Sequence, residues 1–472
     1  MARVADSFRV TAECHLLRHP GLGADLLAYF PLKSLVCRVN AAAAEIITDA
    51  RDRSVAPESA DAREILTSLE AMGVVNGVPD RTPARHHGRV PKPRRTMLLL
   101  SERCNLQCQY CYGQALTEGA VMPLEIARAT ADFLFANALD DPRPLVDIGF
   151  HGGGEPTTNW PVLQGVMEYA EQRGRRENVR LMSSICTNAI MSAEKARWLG
   201  EHIRNLTISI DGPPDIQNRQ RPLASGGPSY DRAAATIDIL DELRVRYAFR
   251  VTATELSQHR LDEVYDHLTS RFNPTAVCIE PLYVCGRCHS TRCQPPAREV
   301  FVDAIKGLTS RTFAKGPQIQ YSGGRLPYLG SAFCGASGDN FFITPTGDVT
   351  SCVEVSSRDN PKAGTFIYGR YDRDREEFSF DEQKYSRLVN LRVEEFESCR
   401  DCFARWHCAG DCLAKVPNQE RIKEDRNPYR CQINQEITLH QLVLQVPRED
   451  AEQPSAQEPS PVAHAERQAT SS

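Results

Sequence analysis

Apolar positions along this chain follow two different periods. Near the N-terminus, "ADLLAYF" and "SLVCRVN" are alternating apolar runs joined by "PLK", which predicts a β-hairpin. The next segments, "AAAAEIITDARD" and "DAREILTSLEAMGVV", space their apolar residues by three and four, which predicts two helices. The Pro-rich, basic stretch "PDRTPARHHGRVPKPRR" then reads as a connector. From Arg95 onward, strand-like runs ("TMLLL", "LVDIGFH", "LMSSICT", "LTISID", "AFRVTAT", "AVCIEPLY") alternate with five helix-like segments. Such repeated β-α units predict an α/β fold with a parallel sheet, whose chemistry collects in the loops after the strands. After about residue 285 the alternation stops and a Cys-rich region runs to Cys431. The polar end "REDAEQPSAQEPSPVAHAERQATSS" predicts disorder. The expected parts are therefore residues 1–92 (small domain and linker), 93–285 (β-α core), 286–330 (bridge), 331–447 (Cys-rich domain) and 448–472 (tail).

A chain of 472 residues exceeds one ordinary core, consistent with several domains. The net charge of −5 gives no basic field, so nucleic acid is not expected as a partner. No apolar run approaches the roughly 18–20 residues that span a membrane, and no secretory signal opens the chain, so a cytoplasmic location is expected. Seventeen cysteines change the picture: in a reducing compartment, clustered cysteines point to metal rather than to disulfides. Cys14, Cys37, Cys186 and Cys278 stand alone in apolar segments and read as small buried hydrophobes.

"LLLSERCNLQCQYCYGQ" follows the first strand of the core and spaces Cys104, Cys108 and Cys111 as C-x3-C-x2-C. Three thiolates can hold three irons of a [4Fe–4S] cube and leave the fourth open to a ligand. "HGGGEP" follows the second strand, "CTN" ends the third and "SIDG" the fourth. Together these residues resemble the radical S-adenosylmethionine (radical SAM) enzymes. The resemblance implies a partial (β/α)6 TIM barrel in which S-adenosylmethionine chelates the open iron and is cleaved to a 5′-deoxyadenosyl radical. It implies cofactor contacts from Tyr110, from Gly153, Gly154, Glu155 and Pro156, from Thr187 and Asn188, and from Ser209, Asp211 and Arg221. Gln217 and Asn218 stand where His-Asp is common in the family.

Downstream lie Cys334, Cys352, Cys399, Cys402, Cys408, Cys412 and Cys431. Their spacing resembles the SPASM extension of peptide-modifying radical SAM enzymes. That resemblance implies two auxiliary [4Fe–4S] clusters, one on Cys399, Cys402, Cys408 and Cys431, the other on Cys334, Cys352 and Cys412. The fourth ligand of the second could be the substrate or one of Cys285, Cys288 and Cys293; that trio reads equally well as a surface loop. Sulfatase maturases place a catalytic aspartate directly after the cysteine matching Cys352. Here Val353 occupies that place and Glu354 follows, pointing to the other face if the segment is a strand. Glu354 and Asp411 remain the candidates for a catalytic base. Residues 1–92 loosely resemble the winged-helix domains that bind leader peptides. The expected function is hydrogen abstraction from a ribosomally made precursor peptide to form a crosslink, with flavodoxin or ferredoxin as electron donor. The alternatives are a sulfatase-maturase-like enzyme acting on a protein Cys or Ser, and a non-catalytic iron–sulfur carrier or scaffold.

Overall fold

The computed structural model describes residues 7–83, 90–113, 118–313 and 315–447. The expected tail and residues 84–89 of the linker lie outside the described residues. The hairpin forms as expected: β2 (Leu26–Phe30) pairs antiparallel with β3 (Leu35–Val39), and β1 (His15–Arg18) lines the other side of β2. Two helices follow, Ala41–Asp52 and Ala60–Ala71, each started by a side-chain cap from Asn40 or Ser59. β2 is buried along its whole length because both of its faces are covered. Ala28 and Phe30 pack with Ile47, Leu66 and Leu69 of the two helices. Leu27 and Tyr29 pack with Leu442 and Val446 at the far end of the chain. Glu13 also reaches across, accepting from Arg405 (2.5 Å) and from the Trp406 indole (2.8 Å). The N-terminal unit is thus docked on the Cys-rich region.

The main sheet contains β4 (Arg95–Leu99), β5 (Leu145–His151), β6 (Arg180–Thr187), β7 (Asn205–Ser209), β8 (Tyr247–Ala253) and β9 (Ala276–Pro281). These six run parallel in chain order, with the five expected helices between them. The repeat continues one unit further than the apolar pattern indicates. Helix Arg298–Thr312 leads into β10 (Gln318–Gln320), parallel to β9. β10 is a three-residue edge strand, "QIQ", and has no apolar alternation to betray it. On the other side β11 (Phe342–Ile343) joins β4, and β12 (Asp348–Thr350), β13 (Ile367–Asp372) and β14 (Glu377–Phe380) continue antiparallel. The Cys-rich segment therefore begins as an extension of the same 11-stranded sheet.

Within β5 to β9, Val146, Ile148, Phe150, Ile185, Leu206, Ile208, Phe249, Val251, Val277 and Ile279 are buried in one core with the helices. The alternate positions include His151, Cys186, Ser209, Arg250 and Cys278, all half-buried. Strand periodicity therefore gives the sheet one apolar, helix-covered face and one polar face. The reading of Cys14, Cys37, Cys186 and Cys278 as buried hydrophobes is corrected here, since all four are only partly buried. Cys186 and Cys278 sit on the polar face because of their strand parity.

Candidate cluster and cofactor site

The loop after β4 carries Cys104, Cys108 and Cys111, and its backbone is pinned from two sides. From one side comes the glycine loop after β5. Gly154 N donates to Ser101 O (2.9 Å) and Glu155 N to Arg103 O (2.8 Å). A Cβ on Gly154 would lie 2.0 Å from Arg103 O, and one on Gly113 would lie 2.4 Å from Gly153 O. Only glycine permits this approach. From the other side comes the segment after β9. Arg287 N donates to Cys111 O (3.0 Å), its Nη1 to Cys108 O (2.9 Å), and Thr291 Oγ1 to Gln109 O (2.7 Å). The trio Cys285, Cys288 and Cys293 belongs to this clamp. Cys288 is buried, and Lys415 Nζ stands 3.9 Å from the Cys285 sulfur.

The strand-end residues converge on the same loop. Glu155 is buried, accepting from Thr157 Oγ1 (2.8 Å), Thr187 Oγ1 (2.7 Å) and Asn188 N (2.8 Å). Pro156 starts the short helical turn that Glu155 caps. Asn188 donates to Asn105 Oδ1 (2.8 Å) and lies 3.8 Å from the Cys104 sulfur. On the opposite flank, Tyr110 donates to Asp211 (2.6 Å) and accepts from Arg221 (2.7 Å). Gln220 and the Thr252 amide also donate to Asp211, which is fully buried. Gln217, one of the two departures from the family pattern, accepts from Asp211 N (2.9 Å) and so shapes the strand end. Asn218 accepts from Ser229 N and Tyr230 N, both at 2.8 Å. Gly153 and Ser209 lie on the glycine loop and at the end of β7.

A reduced three-thiol set with one open position suits a [4Fe–4S] cluster, and the residues around it fit an anionic cofactor group. Arg221 is buried and its Nε has no partner among the described residues. A cationic donor left over in an enclosed site calls for an anion. Burial, then its sibling thiols and Glu155, push the Cys104 thiol up to about 12. Burial, partly offset by Arg221, pushes Cys108 up to about 11. Tyr110→Phe removes the hydroxyl shared by two buried charges. Losing this hydrogen bond should weaken S-adenosylmethionine binding to the reconstituted protein about tenfold, read by equilibrium dialysis.

The downstream cysteines form two neighbour sets. After burial and Asp411, Cys399 and Cys402 push up the Cys408 and Cys431 thiols; after burial and Glu354, Cys334 pushes up those of Cys352 and Cys412. Two expectations are revised. Cys352 to Val355 is a turn, closed by Val355 N donating to Cys352 O (3.0 Å), so strand parity does not apply to Glu354. Its carboxylate meets Lys415 at 2.7 Å. Burial favours the acid form, but Lys415 and Lys362 outweigh it and hold Glu354 below the usual carboxylate range. Asp411 is instead spent on a two-point pair with Arg430 (2.6 and 2.9 Å), both side chains being buried, which removes it as a base candidate.

Residues 98–268 match the Radical SAM superfamily. The chain is 23% identical over 353 residues to a cysteine-type anaerobic sulfatase-maturating enzyme of Clostridium perfringens, covering 71% of this chain and 93% of that protein. A solved structure of the native enzyme anSMEcpe, with bound AdoMet and the Cp18Cys peptide, superposes with a TM-score of 0.59 at 17% identity. It covers 75% of this chain and 98% of that one. Streptococcus suis SuiB bound to its precursor peptide SuiA superposes with a TM-score of 0.51 at 13% identity, over 90% of this chain and 100% of that one. A three-cysteine loop clamped beneath a Gly-Gly-Glu-Pro turn thus lies in a segment, residues 98–268, that matches the Radical SAM superfamily, in an enzyme similar to the anaerobic sulfatase maturases.

Proposed function

We propose that this enzyme is a peptide maturase that removes a hydrogen from a residue of a ribosomally made precursor and leaves a crosslink. The observation that carries this reading is the N-terminal three-stranded sheet, whose outer strands β1 and β3 pair with no further strand among the described residues. An extended leader can add to such an edge through main-chain hydrogen bonds. The superposition on SuiB spans 90% of the chain, against 75% for the sulfatase maturase, as expected if a leader-binding unit is present.

In this reading Cys104, Cys108 and Cys111 hold the core cluster, and the two downstream sets hold auxiliary clusters in a SPASM-type region, 331–447. When bound, the core cluster and S-adenosylmethionine supply the radical chemistry and the auxiliary clusters supply electron transfer. The chain's own residues position and exclude. Glu155, held by Thr187 and Asn188, presents negative charge toward the cofactor's amine. Arg221 offers its spare donor to the carboxylate. Tyr110, fixed by Asp211 and Arg221, holds the cluster loop in place between the last two cysteines. Flavodoxin or ferredoxin is the proposed reductant, in the cytoplasm.

A second reading, oxidation of a protein Cys or Ser, is favoured by the sulfatase-maturating relative and by Glu354. Lys415 keeps that carboxylate ionised near Tyr112 of the cluster loop, as a base requires. Co-expression with candidate precursor peptides, sought among short reading frames next to the gene, separates the two. Mass spectrometry should show a hydrogen pair lost with every sulfur retained. Oxidation of a Ser to an aldehyde also loses a hydrogen pair and keeps every sulfur, so the product is treated with a hydrazide as well: no carbonyl adduct is expected, and conversion of a Cys or Ser to an aldehyde would establish the second reading instead. In the same assay Cys402→Ala should preserve S-adenosylmethionine cleavage, lower bound iron by about four per chain and abolish modified peptide. A proline within β3 should cut turnover of the full precursor more than tenfold without touching cluster content, because it removes a ladder donor. Turnover unchanged by the proline would leave the N-terminal unit a structural cap.

A further inference from the structure

The polar face of the sheet carries a cation that the reading above does not use. Arg250, on β8, lies in register between Ser209 of β7 and Cys278 of β9. Among the described residues, its Nη1 reaches only the Cys278 sulfur, at a long 4.0 Å. Glu280, whose charge also acts on Arg250, makes no ion pair with it: its Oε1 accepts from Ser322 N (2.8 Å) and from the Cys278 thiol (3.6 Å). Among the described residues, Arg250 has no ion pair, whereas surface arginines such as Arg260 and Arg298 each have two. The other titratable groups facing it are Tyr112, whose hydroxyl donates to Gly152 O (3.1 Å), and Cys186, which has His151 on its far side. Cys186 lies 3.8 Å from Ser209 Oγ.

A guanidinium cannot relieve burial by losing its proton, and thiols are weak acceptors. It presents a planar fork of donors matched to a carboxylate. A half-buried arginine without an ion pair is ready for an anion. We propose that Arg250 anchors a carboxylate of the substrate peptide, an Asp or Glu side chain or a C-terminal carboxylate, on the polar face between Cys186 and Cys278. Ser209, directly opposite Arg250, is one of the residues matched to the cofactor site, so an anchored residue lies beside the place where hydrogen is removed. The assignment names the substrate class of the maturase reading and rests on it.

The two flanking thiols report on the site without any knowledge of the peptide. The reconstituted holoenzyme is alkylated anaerobically with iodoacetate or with iodoacetamide, and labelling is read at each cysteine by peptide mass spectrometry. Cys37, half-buried on β3, is the reference. The iodoacetate-to-iodoacetamide ratio at Cys186 and Cys278 should exceed that at Cys37 about tenfold, as one charge-assisted contact allows. Arg250→Gln should bring the ratio down to that of Cys37, while Arg250→Lys, which keeps the charge, should retain part of it. Equal ratios in the wild type, a ratio indifferent to Arg250→Gln, or no labelling by either reagent would each overturn the proposal. So would loss of the preference on adding S-adenosylmethionine with iodoacetamide labelling intact, since the anchor would then belong to the cofactor's own carboxylate. The outcome does not depend on radical formation, so failure of the maturase reading is seen separately, in the peptide product.

Discussion

Replacing Cys104, Cys108 and Cys111 together by Ala is expected to abolish reductive cleavage of S-adenosylmethionine completely. With the three clusters proposed above, it should also remove one, leaving about eight of twelve irons per chain. The three thiols share one loop, and that loop is held by main-chain hydrogen bonds and by its Asn105 and Tyr110 side chains. Gly154, Glu155 and Arg287 all bind its carbonyls. The triple variant should therefore keep its fold, and the loss should be chemical. Iron analysis and quantification of 5′-deoxyadenosine check this together. Cleavage that survived in a protein lacking the core cluster would mean that the cofactor is activated elsewhere.

The largest stability effect is expected at Asp411. Three consecutive residues, Ala409, Gly410 and Asp411, have left-handed backbone (φ 46°, 81° and 61°). Two of them are not glycine, at a cost of about 1–2 kcal/mol each. The turn lies between Cys408 and Cys412, one from each neighbour set, so both sets depend on its shape. The two-point pair to Arg430, one residue before Cys431, is what holds it. Asp411→Ala leaves a buried guanidinium unpaired, which costs about 3–5 kcal/mol. That is a large share of a stability of about 5–15 kcal/mol. Chemical denaturation should show this loss, and iron analysis should show both downstream clusters depleted. Combining Asp411→Ala with Arg430→Met should cost clearly less than the sum of the single changes, because no charge is then stranded. Strict additivity would mean that the pair is incidental.

Much of the catalytic half was legible in the sequence because its signals are local. The run "LVDIGFH" coincides with β5, and "AAAAEIITDARD" with the helix Ala41–Asp52. The cysteine spacing and the glycine loop point to one mouth because both follow parallel strands. What escaped is either short or long-range. β10 to β12 have two or three residues each, too few for a period. The docking of Tyr29 against His407, where the hydroxyl donates to the ring, joins residues 378 apart. Strand parity does not place Glu354, because Cys352 to Val355 form a turn. His151, Cys186, Arg250, Cys278 and Glu280 could have been found: each interrupts an apolar strand at an alternate position, which places all five on the face away from the helices.

The central claim is that this chain activates S-adenosylmethionine for hydrogen abstraction. The reconstituted wild-type protein, reduced anaerobically with dithionite in the presence of S-adenosylmethionine, should release 5′-deoxyadenosine and methionine in equal amounts, measured by liquid chromatography and mass spectrometry. An intact core cluster that binds S-adenosylmethionine yet yields no 5′-deoxyadenosine would contradict the account.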